Sequence, residues 1–138
     1  MERTTARTHG TQRRVPGGET PHRNRTLGAR GEAIAGEYLE GLGCRIVDRN
    51  WRNRHGELDL VVTDHGVVVA VEVKTRSGDG YGTPLEAITA RKAARLRRLL
   101  LDWVRVHQQP ASGLRIDAVG IILRAGTAPH IDHLRGIS

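Results

Sequence analysis

Apolar positions along this chain fall into two helical stripes and a set of aliphatic runs. Between 27 and 42, Leu27, Ile34, Ala35, Tyr38 and Leu42 recur on one helical face, and Gly41 and Gly43 supply a C-terminal stop. The stretch CRIVDRNWR then predicts a short strand, GELDLVVT a second and VVVAVEVKT a third, with TDHG as the hairpin turn between the last two. RSGDGYG reads as a loop. Pro84 is placed to open a second helix that continues to about His107, its stripe formed by Leu85, Ile88, Leu96, Leu99 and Trp103. QQPASG breaks it, LRIDAVGIIL is a fourth strand and HIDHL a weaker fifth. The order αβββαβ predicts an α/β fold: a single mixed β-sheet flanked by helices.

Composition changes this picture at the N-terminus. Residues 1–26 hold six arginines against Glu2 and Glu19, so they carry +4 of the formal +7. Polar, Gly/Pro-punctuated and without apolar periodicity, residues 1–24 are expected to be a disordered basic tail, either a nucleic-acid-binding arm or a solvated leader, ahead of one domain spanning 25–138. One cysteine, Cys44, excludes an internal disulfide, and no apolar run approaches the roughly 20 residues that span a bilayer. With no segment of secretory type, the expectation is a cytoplasmic protein with no membrane partner. Lys74 and Lys92 are the only lysines among 22 basic residues. Where arginine is so favoured, a lysine marks a position that requires a compact ammonium.

The chemistry concentrates in the hairpin GELDLVVTDHGVVVAVEVKTR. Asp59, Glu72 and Lys74 sit there among aliphatic residues, where charge is unwelcome. Glu72 and Lys74, two apart, point to the same face of a strand. A connection centred on Asp64 and His65 sets Asp59 across from Ala70, diagonal to Glu72 and on that same face, whereas a bulge at Gly66 would reverse the facing. Two neighbouring carboxylates repel unless a cation lies between them. Hard oxygen donors in small number suit Mg²⁺ or Mn²⁺, which take further ligands from water and phosphate. Lys74 would then orient the attacking water or steady charge building on phosphorus. The structural alternative is a charged strand end, with Glu72 and Lys74 as a surface ion pair.

Asp59 followed by EVK at the end of an aliphatic strand, with a helix on either side, resembles the PD-(D/E)xK nuclease superfamily, the restriction-endonuclease-like fold. LGARGEAIAGEYLEGLGCRIVDRNWRNRHGELDLVV, VAVEVKTR and PLEAITARKAARL together resemble the YraN family of small bacterial proteins, similar to archaeal Holliday-junction resolvases, over about residues 27–123. This resemblance implies a nuclease site at Asp59, Glu72 and Lys74, with Asp59 and Glu72 as metal ligands and Glu32 from the first helix as a further metal or water contact. Leu58 stands where the superfamily name has proline, and Glu57 is a candidate supporting partner. Glu32 lies on the flank of its helix, facing either the sheet edge or solvent.

Arg49, Arg52, Arg54 and Arg76 flank the hairpin as phosphate clamps or as solvated charge. Lys92 reaches the cleft from the second helix or snorkels beside the core. Arg91, Arg95, Arg97 and Arg98 lie on the helix's other faces, solvated or turned to phosphate. Asp117 is expected to pair with Arg115 or nearby backbone, Trp51 and Tyr81 to pack in core or loop rather than stack on bases, and His130 and His133 to stand isolated. The functional expectation is a Mg²⁺- or Mn²⁺-dependent nuclease acting on DNA, including branched or repair intermediates. The alternative is a non-catalytic nucleic-acid-binding or scaffold protein of the same fold. A homodimer is a third expectation, since junction-cleaving relatives pair their sites to cut two strands.

Overall fold

The computed structural model describes residues 2–7, 20–78 and 84–137. The elements are β1 (Glu2–Arg7), α1 (Thr20–Gly41), β2 (Arg45–Asn53), β3 (Gly56–Asp64), β4 (Val67–Ser77), a 3-10 turn (Pro84–Ala87), α2 (Ala90–His107), β5 (Gly113–Leu123) and β6 (His130–Arg135). The six strands form one sheet in the order β1-β6-β5-β4-β3-β2. Every neighbouring pair is antiparallel except β4 and β5, which run parallel. A parallel pair needs a crossover, and α2 supplies it. The protein is therefore α/β with a single mixed sheet and two helices, one on each face.

Turn chemistry sets the register. His65 and Gly66 both have positive φ (51° and 88°), the conformation of a two-residue turn whose twist matches antiparallel strands. The turn is thus centred on these two residues, one later than the sequence suggests, and it pairs Asp64 with Val67. Val61, not Asp59, lies across from Ala70. The partner of every β3 residue moves by two positions, so the facing is unchanged. At the β2–β3 end Asn53 Oδ1 accepts from the His55 amide at 2.8 Å, closing a turn at Arg54 and His55.

Alternation along β4 sends Val68 and Ala70 to one face and Val69, Val71 and Val73 to the other. The first pair joins Leu96, Leu99, Leu100 and Trp103 beneath α2. The second set joins Ala35, Tyr38 and Leu39 of α1. Trp103 satisfies its indole by donating from Nε1 to Asp48 Oδ2 at 2.7 Å, so this large ring is buried without an orphaned donor. In α1 the buried stripe is Ala35, Tyr38 and Leu39, while Leu42, expected in the core, is exposed because the helix stops at Gly41. Close packing of α1 on β4 depends on Gly31, where an added Cβ would lie 1.7 Å from Thr75 Oγ1.

The second helix differs from expectation. Pro84 opens a one-turn 3-10 segment, and α2 begins separately at Ala90, capped by Thr89, whose side chain accepts from the Lys92 amide. Thr89 takes an extended conformation (φ −99°, ψ 163°), as an N-cap must, and this divides the predicted continuous helix. Leu85, ahead of the break, packs on Gly120, where a Cβ would meet Leu85 Cγ at 3.0 Å.

The N-terminal stretch expected as a disordered tail contains β1, paired with β6 from Glu2–Arg135 to Arg7–His130, and the start of α1. Arg3 donates to both oxygens of buried Asp132 and Thr5 Oγ1 donates to Oδ1 at 3.2 Å, which gives this polar segment its anchor. The rest of that tail, residues 1 and 8–19, lies outside the described residues, as does Tyr81. Among the described residues no helix is long and apolar enough to cross a membrane.

Candidate active site

The site forms where β3 leaves β4. Their ladder runs from the turn to the pair Leu60–Val71 and ends there. Val73 N–H, further along β4, donates instead to Asp59 Oδ2 at 2.9 Å, so a side chain replaces the missing strand partner. The parting has a local cause. Leu58 and Leu60, which simple alternation would put on one face, lie in opposite core layers, Leu58 under α2 and Leu60 under α1. Asp59 stands at the crossing point, opposite Asn50 of β2, whose φ of 52° is unusual for a residue other than glycine and best tolerated by asparagine.

Continuing the β3–β4 register one step sets Asp59 across from Glu72. Glu72 is only 6% exposed, yet it carries two cations on one oxygen: Lys92 Nζ at 2.9 Å and Lys74 Nζ at 3.4 Å from Oε1. Lys74 shares a strand face with Glu72 as alternation requires, and Lys92 descends from the first turn of α2. Burial raises Asp59 from the usual carboxylate range to about 7; the Glu72 charge adds to the rise and the Val73 amide opposes it. Burial works against the charge on Lys92 too, but its bond to Glu72 carries the ammonium above the ordinary lysine range.

Glu32 approaches from α1. With its amide oriented to its neighbours, Asn50 Nδ2 donates to Glu32 Oε2 at 3.1 Å and to Glu57 Oε1 at 3.2 Å, tying the helix to the sheet edge. Burial raises the Glu32 carboxyl above its ordinary range; Asn50 opposes the rise and Glu57 adds to it. Asp59, Glu72, Lys74 and Lys92 thus meet in one place, with Glu32 and Glu57 within electrostatic reach. The arginines are more dispersed. Arg49 lies along α1, its guanidinium 3.1 Å from where a Gly36 Cβ would sit. Arg52 pairs with Glu57 at 3.2 Å, Arg54 donates to His55 in the turn, and Arg76 is exposed near the end of β4.

Sequence reasoning missed Asn50, whose role needs both the left-handed kink and the partners on α1. It also missed the setting of His133. Far from isolated, His133 is 2% exposed, with Nδ1 3.2 Å from Tyr38 Oη and Nε2 2.9 Å from Asp117 Oδ2. Asp117 pairs with Arg115, as expected, and also accepts from the Gly136 amide. Trp51 packs on the α2-side core and meets the His107 ring edge-on at 6.1 Å between centroids.

These features define an α/β protein with one mixed sheet and a half-buried acid–amine cluster, centred on buried Glu72, at the point where two strands diverge. Residues 31–121 match the uncharacterised protein family UPF0102, and the chain belongs to that family. It is 50% identical over 113 residues to a UPF0102 protein of Clavibacter michiganensis subsp. michiganensis (strain NCPPB 382), covering 82% of this chain and 96% of that one. A UPF0102 protein of Rhodococcus opacus (strain B4) is 47% identical over 112 residues, 81% and 95% of the two chains. One of Mycobacterium bovis (strain BCG / Pasteur 1173P2) is 47% identical over 116 residues, 80% and 91%. The matched span includes Glu32, Asn50, Asp59, Glu72, Lys74 and Lys92 and excludes β1 and β6.

Proposed function

We propose that this protein is a metal-dependent nuclease of restriction-endonuclease-like architecture, related to junction resolvases, that hydrolyses phosphodiester bonds in DNA. One observation carries the reading: a half-buried aspartate, raised to about 7 by burial and then by the Glu72 carboxylate, with one amide opposing the rise, faces a glutamate that holds two ammonium groups. Such an arrangement is costly for stability and suited to a divalent cation and an anionic substrate.

The donor set fits Mg²⁺ or Mn²⁺. Asp59 and Glu72 would hold the ion, which commonly takes one or two protein carboxylates and completes its shell with water and phosphate oxygens. When bound, such an ion acidifies water and polarises a phosphoryl oxygen. The chain's own residues do the rest. Val73 N–H fixes one oxygen of Asp59. Lys74 sets a positive charge where negative charge builds on the phosphate oxygens. Asn50 holds Glu32 and Glu57 at the rim, where Glu32 serves as a further water or metal contact. Arg49, Arg52, Arg54 and Arg76, dispersed over β2, its turn and the end of β4, would serve as phosphate contacts, and action on both strands of a duplex would pair two copies. We place the protein in the cytoplasm.

A second reading, a non-catalytic nucleic-acid-binding or scaffold protein, draws on a different observation. Among the described residues no three His, Cys, Asp or Glu side chains are grouped to hold a metal together. The two readings part in one experiment: supercoiled, branched and single-stranded DNA are incubated with the full chain, with Mg²⁺ or Mn²⁺ and with chelator. The nuclease reading expects cleavage that needs the metal and falls about 100- to 1000-fold in Lys74→Ala and Asp59→Ala. Binding without metal-dependent cleavage on all three substrates selects the second.

A further inference from the structure

Both lysines of the chain converge on one carboxylate oxygen, Glu72 Oε1. Twenty other basic residues are arginines, so the two positions that retain a compact ammonium are the two that share this oxygen. Lys92 is also poorly placed for its own helix. It lies in the first turn of α2, directly after Arg91, with no acidic residue there, and cations at a helix N-terminus are disfavoured by about 0.3–1 kcal/mol. Its amide is already satisfied by Thr89 Oγ1 at 3.1 Å, so the helix start does not need its side chain. The side chain is spent on Glu72.

From this we infer that Lys92 is the resident counter-ion of the metal site. In the metal-free protein its ammonium neutralises Glu72, and it gives up that oxygen when a divalent cation binds. Lys74, on the same strand face as Glu72, stays beside it in both states; Lys92, reaching in from α2, is the cation that exchanges. The site is thereby kept from holding two unmatched carboxylates when empty, at the expense of metal affinity. The inference rests on the metal reading above and assigns Lys92 a positioning role distinct from phosphate contact.

The test is calorimetric titration of the full-length protein with Mn²⁺, using wild type, Lys92→Met and Lys92→Arg. Without the internal cation Lys92→Met should bind Mn²⁺ about tenfold more tightly, since the ion no longer competes with a unit charge a few ångströms away. Lys92→Arg should bind no more tightly than wild type. A second readout needs no activity: Mn²⁺ should raise the unfolding temperature of Lys92→Met by more than that of wild type, because the stabilisation a ligand gives grows with the logarithm of its affinity. If Lys92→Met does not fold, Lys92→Gln takes its place. Wild-type binding with unchanged or weaker binding by the neutral variant overturns the counter-ion role and leaves the metal reading standing. No Mn²⁺ binding by any of them overturns both.

Discussion

Two aspartates of the same sheet, Asp117 buried and Asp59 half-buried, show opposite treatment of charge. Asp117, on β5, is 1% exposed and accepts from His133, Arg115 and the Gly136 amide; although burial pushes its carboxyl up, these donors hold it below the ordinary range. Asp64, bonded to His65 and Arg115, is likewise held low. Asp59 accepts one amide, faces Glu72 and is raised to about 7. A carboxylate that serves structure is surrounded by donors, whereas one kept short of them is held ready for something the folded chain does not itself provide.

The sharpest way to break this contrast is Asp117→Ala. It leaves Arg115 with Asp64 alone and removes the partner of His133 Nε2 and of the Gly136 amide in a buried place, and a loss of about 3–5 kcal/mol in urea unfolding is expected, as for removal of one partner from a buried ion pair. Asp59→Asn should do the reverse. In the folded protein Asp59 holds its proton until about pH 7, against an ordinary value of 3.8, so its contribution to stability is complete below pH 4 and is lost as pH rises to about 7. Asp59→Asn, with no proton to lose, should gain on wild type by about 1–3 kcal/mol between pH 4 and pH 8, read from denaturation midpoints at the two values. An equal pH response in the two proteins would remove the contrast.

Gly31→Ala probes the support behind the site. Its methyl group would overlap Thr75, next to Lys74, and should cost about 1–3 kcal/mol, recovered in part by Thr75→Ala. The smallest effect is expected at Thr89→Ala, which removes the cap of the helix that carries Lys92 and should cost about 1 kcal/mol. A thermal melt unchanged by that substitution would show that the Thr89 side chain does not hold the start of α2.

Much of the architecture was legible because apolar period and turn residues agree. The near-continuous aliphatic run through 67–73 suits only a sheet buried on both faces, and Trp103 and Leu96 fall on one helical stripe. Asp59, Glu72 and Lys74 were legible for the opposite reason, being charges where the pattern wants none. Other features depend on geometry that no local pattern encodes. The kink at Asn50 looks like an ordinary strand position, and the closeness of Gly31 to Thr75 exists only once α1 is laid on β4. His133 has its partners at Tyr38 and Asp117, residues distant in sequence. Ile88–Thr89 interrupts a helical stripe that continues through it, so only the backbone reveals the break.

β4 is held unequally along its length. Its pairing with β5 continues from Val67–Gly113 through to Ser77–Leu123, whereas β3 accompanies it only as far as Val71. Glu72 and Lys74 thus sit on a strand accompanied by β5 throughout, whereas Asp59 lies where β3 has already left it. Beyond Leu60 and Val71 it is the Val73 amide, bonded to Asp59, that spans the gap between the strand of one acid and the strand of the other.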